Sequence, residues 1–247
     1  MVPSVAKAIR VLDTVGNSPR QPSLAELARK LEIPKSTLHD ICETLVRERL
    51  LTRAGDGRFR LGVRILDFYR AYDAATQFTS EFAKVCEEFA PLHEETLVLS
   101  VLDGRDVVYV ACRNGTQPIA VNYRIGLRLS SNCTATGKAI LSTLTDDEVR
   151  ALFSGVELAA PTPRSIRTVE GLLRELHQTR ERGYSVDDEE TVQGMCCVGA
   201  PILARGDRRA AGAIAFSIVK ARVTSNRFTS LARDVVELGR ILSERLG

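Results

Sequence analysis

Apolar residues recur at one helical interval three times near the start of the chain. Val5, Ala8, Ile9 and Leu12 stand at i, i+3, i+4 and i+7, and Leu24, Leu27, Ala28 and Leu31 repeat the interval. Leu38, Ile41, Cys42 and Leu45 repeat it again. Positions so spaced fall on one face of an α-helix, so each stretch predicts a short amphipathic helix with one buried stripe. Ser23 and Glu26 have the spacing of a capping box that opens the second helix. Pro34 disfavours helical geometry at Ile33, leaving three or four residues before the third helix starts at Pro34-Lys35 or Ser36. That is the spacing of a helix-turn-helix. Residues 51–61 then carry two short runs of β-formers around Asp56-Gly57, which predicts a hairpin. Three helices followed by a hairpin describe a winged helix over residues 1–62.

Residues 63–79 lack proline and carry Ile65, Leu66, Phe68, Tyr69 and Tyr72, predicting a linker helix. Beyond it, residues 80–247 alternate. Residues 81–93 read as a helix, 96–102 and 107–112 as strands joined by an Asp103-Gly104-Arg105 turn, and 119–123 as another strand. Helices follow at 135–144, 146–153 and 168–182, strands at 196–203 and 211–219, and a closing helix at 226–246. Strands in hairpin order with helices interspersed predict an α+β domain with a mainly antiparallel sheet.

Charge adds a direction. Residues 1–64 carry 12 Lys and Arg against 7 Asp and Glu, whereas the remainder carries 22 against 24. A basic head on a slightly acidic body suits a protein that holds a polyanion at one end. The third helix would lie in the major groove of double-stranded DNA, with its apolar stripe leaving Lys35, Ser36, Thr37, His39, Asp40, Glu43 and Arg47 outward. Ser36, Thr37 and Lys35 suit phosphate or base contacts. Arg53, Arg58 and Arg60 on the wing could reach phosphates or the minor groove. Two recognition helices about one duplex turn apart imply a symmetric homodimer.

Other chemistries fit less well. No run approaches the roughly 18 apolar residues of a membrane span, and Met1–Ser4 does not open a signal peptide, so a cytoplasmic location is expected. The six cysteines show no C-x-x-C spacing and are expected to be reduced thiols. Cys196 and Cys197 are adjacent; on a strand they would face opposite ways and could not chelate one ion. His93-Glu94-Glu95 has Leu97 where a zinc-protease motif needs its second histidine, and Gly137-Lys138 lacks the first glycine and the Ser/Thr of a phosphate loop. Asp187-Asp188-Glu189-Glu190 reads as a solvated acidic turn. Neither a metal, a cofactor nor an enzymatic activity is expected. Asn132 to Gly137 leads into a helix start rich in small residues, where open backbone N–H groups favour an anion. A small organic acid is therefore the expected effector.

Several segments together resemble the IclR family of transcriptional regulators. They are residues 4–12, Ser23 to Ala28, Ile33 to His39, Arg60-Leu61-Gly62, Thr136-Gly137-Lys138-Ala139, Arg182-Gly183-Tyr184, Asp187 to Glu190 and Gly199-Ala200-Pro201-Ile202, in the family's order. The resemblance implies a GAF-like effector-binding domain, dimers that can pair further into tetramers, and repression more often than activation, typically of a catabolic operon. By motif it also implies an effector site of Leu129, Ala135 and Thr136 at the helix start, Asp187, Met195, Cys197 and Ser217 further on, and Val121 as an apolar wall. In one respect the chain departs: the family commonly has arginine directly after the position of His39, and this chain has Asp40. A carboxylate there repels phosphate and can accept from a cytosine amino group, so a different operator preference is expected. The competing readings are an activator, a thiol-based redox sensor with the same DNA-binding domain, and a constitutive architectural DNA-binding protein.

Overall fold

The computed structural model describes residues 2–89, 94–116, 123–204 and 206–246. By its contacts the chain divides into two compact units, residues 1–75 and 76–247.

In the first unit, α1 (Pro3–Gly16), α2 (Leu24–Leu31) and α3 (Lys35–Arg47) precede an antiparallel hairpin of β1 (Leu51–Arg53) and β2 (Phe59–Leu61). Ser23 and Glu26 form the capping box at the start of α2. The turn is made by Glu32, which ends α2 in the left-handed region at φ 54°, and by Pro34, which caps α3. Leu27, Leu31, Ile33, Leu38, Cys42 and Leu45 meet Val11, Val15, Leu51 and Phe59 in one core. The first helix is rotated from the expected stripe. Val5 and Ile9 are 55% and 53% exposed, while Val11, Thr14 and Val15 are buried and Ala8 and Leu12 half-buried. Apolar residues occupy more than half of this helix's circumference, so periodicity alone does not decide which of two overlapping faces the core takes. Gly57, at φ 79°, turns the hairpin. The last helix of the unit, α4 (Arg64–Thr76), buries none of its side chains.

The single helix expected over 63–79 ends early. Gln77, at φ 55°, breaks it, and α5 (Phe78–Phe89) begins at once, ahead of the expected residue 81. One left-handed residue ends an α-helix without proline or glycine to announce it.

The second unit contains a sheet of six strands among the described residues: β3 (Thr96–Asp103), β4 (Asp106–Arg113), β5 (Arg128–Ser130), β6 (Ser185–Asp188), β7 (Met195–Leu203) and β8 (Ala210–Val219). Their order is β5-β4-β3-β8-β7-β6, and every described pairing is antiparallel. Strand alternation splits the sheet's faces. Leu97, Leu99, Val198, Ala200, Ile214 and Phe216 pack against α5 and against α9 (Ser225–Leu246). Val98, Cys197, Ala213 and Ala215 pack on the other face against α6 (Ala135–Leu141), whose seven residues are all buried. Outside α6 lie α7 (Asp146–Leu152) and α8 (Val169–Arg182), joined to it through Leu141, Val149, Leu172 and Leu176. Strands β5 and β6, three and four residues long, were not anticipated. Of the strand expected at 119–123, residues 119–122 lie outside the described residues, and Tyr123 is not in a strand.

Candidate DNA interface and effector site

On α3, Leu38, Cys42 and Leu45 face the core, leaving Lys35, Ser36, His39, Asp40 and Arg47 exposed and Thr37 half-buried. None of these side chains has an ion-pair partner among the described residues, so the face is open to a nucleic acid. The wing arginines differ from one another. Arg53 pairs with Glu43 of α3 at 2.5 Å and its guanidinium sits 5.1 Å from the centre of the Phe59 ring. Arg58 donates to the Gln21 carbonyl at 2.7 Å and to Glu26 at 3.0 Å, which ties the wing to the start of α2. Arg60 is exposed and has no ion-pair partner among the described residues. Two of the three wing arginines therefore brace the hairpin, and Glu43, expected to face outward, is one of their anchors.

In the second unit the residues expected around an effector come from separate strands. Asp187 of β6 stands opposite Cys197 of β7, which stands opposite Ser217 of β8. The Cys197 thiol donates to Ser217 Oγ at 3.4 Å, and the Ser217 and Tyr123 hydroxyls hydrogen-bond at 3.0 Å. Leu129, Ala135, Cys197, Tyr109 and Tyr123 share one cluster. The two tyrosine rings meet edge to face, their centres 5.0 Å apart. Met195 is buried next to Cys196 on β7, and Val121 lies outside the described residues.

The helix start is less open than expected. Thr134 caps α6 by accepting the Gly137 N–H at 3.1 Å, so the backbone N–H groups ahead of it, those of Ala135 and Thr136, are the ones left at the helix head. Thr136 Oγ1 is buried beside the Tyr109 hydroxyl. Ser185 donates to the Ala135 carbonyl at 2.6 Å and to that of Gly199 at 3.1 Å, clamping α6 to the sheet.

The acidic run is not a solvated turn. Asp187 and Glu190 are buried, with the Glu190 and Thr191 N–H groups donating to Asp187 Oδ1 at 2.7 and 3.3 Å. Glu190 pairs with Lys138, which is completely buried. Burial raises the Asp187 carboxyl above its ordinary value and pushes Glu190 up to about 7, against the pull of Lys138. Only Asp188 and Glu189 keep the surface role, bound by Arg164 and Lys220. Tyr109, Tyr123, Lys138 and Glu190 were missed as neighbours of the site. Lys138 lies in Thr136-Gly137-Lys138-Ala139 and Glu190 in Asp187-Asp188-Glu189-Glu190, and a lysine amid a small-residue helix start was the available signal.

Burial disfavours the thiolate form of the cysteines around this site. Burial raises Cys197 well above an ordinary thiol and pushes Cys133 and Cys196 up to about 11, so all three stay protonated near neutrality. Neither Cys196 nor Cys197 is in a disulfide, and among the described residues no cluster of metal-ligating side chains occurs. No helix among them is long and apolar enough to cross a membrane.

A winged helix with an open recognition face, carried on one chain with an α+β unit that gathers buried polar groups, defines a DNA-binding transcription regulator with a ligand domain. The chain matches the IclR helix-turn-helix domain over residues 4–55 and the bacterial transcriptional regulator IclR C-terminal domain over residues 72–244. It belongs to the IclR family and, like its relatives, is a regulator rather than an enzyme. It is 28% identical over 248 residues to the HTH-type transcriptional regulator XynR of Escherichia coli, covering all of this chain and 98% of that one. The structure of the Agobacterium tumefaciens repressor BlcR is 35% identical with a TM-score of 0.64, covering 100% of this chain and 97% of that one. An IclR homologue from Microbacterium hydrocarbonoxydans, solved with 4-hydroxybenzoate, shares the fold at 18% identity and a TM-score of 0.79, over 99% and 100% of the two chains.

Proposed function

We propose that this regulator is a cytoplasmic, ligand-gated repressor of a catabolic operon, released from its operator by a small carboxylate-bearing metabolite. The observation that carries the effector reading is the cluster of hydroxyl groups of Thr136, Ser217 and Tyr109, all buried, and of half-buried Tyr123, set among the apolar side chains of one cluster. A few polar groups converging among apolar and aromatic side chains are the usual lining of a small-molecule site. The head of α6, with the Ala135 and Thr136 N–H groups, favours an acid over a base. Leu129, Ala135, Thr136, Asp187, Met195, Cys197, Ser217 and Val121 are proposed as its surroundings. The complex of the Microbacterium homologue with 4-hydroxybenzoate, itself a small acid, agrees in ligand class. BlcR is a repressor, which favours that sign of control.

On DNA, Lys35, Ser36, Thr37, His39, Asp40 and Arg47 are proposed to meet base edges and phosphates, with Arg60 reaching the backbone and Arg53 and Arg58 holding the wing in shape. Val2, Val5 and Ile9 of the α1 segment and Leu66, Phe68 and Tyr72 of α4 are exposed apolar side chains in the first unit, which supports pairing with a second copy. Dimers of dimers are compatible with that arrangement. Gating then requires that the acid bind the DNA-competent and released states with different affinity. Thiols held protonated by burial speak against the redox alternative.

The test is a mobility shift on the DNA upstream of the chain's own gene, with and without acetate, pyruvate, succinate and 4-hydroxybenzoate. Specific binding at nanomolar protein, weakened by one of these acids, is the expected result. Binding that ignores sequence refutes operator recognition, and specific binding that none of the acids alters refutes the carboxylate effector.

A further inference from the structure

The carboxylate reading leaves unexplained a buried charge cluster under the proposed site. Lys138 is completely buried, bonded to Glu190 Oε1, with Glu175 3.9 Å from its Nζ. Glu190 Oε2 is buried and accepts no hydrogen bond among the described residues. The Glu190 N–H donates to Asp187, and Asp187 faces Cys197 across the sheet. A short path of contacts therefore runs from Ser217 and Cys197 through Asp187 to Glu190 and Lys138. The groups that face Glu190 are Lys138 from α6, Asp187 from β6, Glu175 from α8 and the Cys133 thiol ahead of α6. Glu175 is itself paired with Arg182 at 2.5 Å. With every carboxyl ionised, the cluster holds one more negative than positive charge.

An anion entering beside Asp187 would add a second uncompensated charge in apolar surroundings. Groups so placed neutralise rather than stay charged. We propose that Lys138 and Glu190 are positioning residues of the effector site, their pairing fixing the turn whose Glu190 backbone N–H holds Asp187, and that an anionic effector binds together with one proton taken from solvent onto Glu190 Oε2. The only bond formed is O–H on that oxygen; no electron moves. Burial already holds Glu190 near neutrality, at about 7, whereas the Cys133 thiol, pushed up to about 11, keeps its proton and does not compete. This proposal rests on the carboxylate reading.

Calorimetry of the full chain with sodium acetate, pyruvate, succinate and 4-hydroxybenzoate tests it, in buffers of differing ionisation heat from about pH 6 to about pH 9. The acid that binds should take up close to one proton per site at the alkaline end, and its Kd should rise about tenfold per pH unit above about pH 7. Uptake should vanish toward the acidic end, where Glu190 already carries its proton. Glu190→Gln imitates the protonated side chain and leaves the cluster neutral. It should bind the acid with a Kd that is flat with pH and close to the wild-type value at the acidic end. A wild-type Kd independent of pH, with no proton uptake, overturns the proposal while leaving the carboxylate effector standing, and it does so even if Glu190→Gln fails to fold. A Glu190→Gln protein that keeps the wild-type pH slope overturns Glu190 as the proton's seat. Failure of all four acids to bind refutes the carboxylate reading, and this proposal with it.

Discussion

Gly137→Ala is the change whose consequence the structure defines most sharply. A Cβ at this position would lie 2.2 Å from the Ser131 carbonyl oxygen, 2.4 Å from Ser131 Cα and 2.6 Å from Thr134 Oγ1. Ordinary carbon contacts lie at roughly 3.5–4 Å, so more than an ångström of overlap has to be removed, two of the three contacts being backbone. The glycine is needed here for close approach, not for a left-handed turn, since its φ is not positive. Overpacking of this kind costs about 1–3 kcal/mol, and parting Thr134 from the Gly137 N–H forfeits a cap of about 1 kcal/mol.

A loss of about 2–4 kcal/mol in a unit of this size lowers Tm by roughly 5–15 °C. The damage should be local, because the shortest way to relieve the clash is to move the segment carrying Ser131 to Thr134 away from α6. Ala135 and Thr136 would move with it. Two assays separate the effects: differential scanning calorimetry for the second unit, and the mobility shift with the acid that releases wild-type protein. The expected result is a lowered transition, DNA binding without acid close to wild type, and release needing at least about tenfold more acid, equivalent to about 1.4 kcal/mol. A Gly137→Ala protein with an unchanged Tm and unchanged release would refute the close-approach argument.

Arg60→Ala should weaken DNA binding and reduce the dependence of log K on log salt by about 0.9, the share of one phosphate contact, whereas Arg58→Ala should leave that slope alone and lower the stability of the first unit; equal slopes for the two variants would contradict the division of the wing arginines. Cys197→Ser should retain repression and release, and native protein should react slowly with iodoacetamide near neutral pH because the buried thiols stay protonated; fast labelling of Cys197 would revive the redox alternative. Burial raises the folded-state value of Glu190 to about 7 from an ordinary 4.5, so its contribution to stability is fully present below pH 4.5 and lost as pH rises through 7. Wild type should accordingly lose about 3 kcal/mol relative to Glu190→Gln across that window in urea titrations, and a constant difference would show that Glu190 titrates normally. Ile9→Glu, at a position 53% exposed, should cost little monomer stability yet weaken self-association measured by sedimentation; an unaltered dimer would place the subunit contact elsewhere.

What the sequence made legible, and what it hid, follows from the range over which each signal acts. The helix-turn-helix could be read because its determinants are local: the Ser23–Glu26 box, Pro34 and the Leu38–Cys42–Leu45 stripe all act within a turn or two. The face of α1 could not, since Val5, Ala8, Ile9, Val11, Leu12 and Val15 offer two overlapping stripes and only packing against the rest of the unit selects one. The break at Gln77 and the strands β5 and β6 escaped notice because neither a lone left-handed residue nor a three-residue strand leaves a periodic trace. For the effector site, motif order named Ala135, Thr136, Asp187, Cys197 and Ser217, and the ladder sets Asp187, Cys197 and Ser217 side by side on adjacent strands. It did not reveal that the run Asp187 to Glu190 divides between interior and surface. Strand alternation buries Asp187 and leaves Asp188 to Arg164 and Lys220, while Glu190 turns back inward because Lys138, 52 residues earlier, waits there for a carboxylate. A four-residue acidic run is thus read correctly only when its partner is known, and that partner sits on the helix whose first turn heads the proposed effector site. The same pairing that concealed the site's charge from the sequence is what would make its occupancy respond to protons.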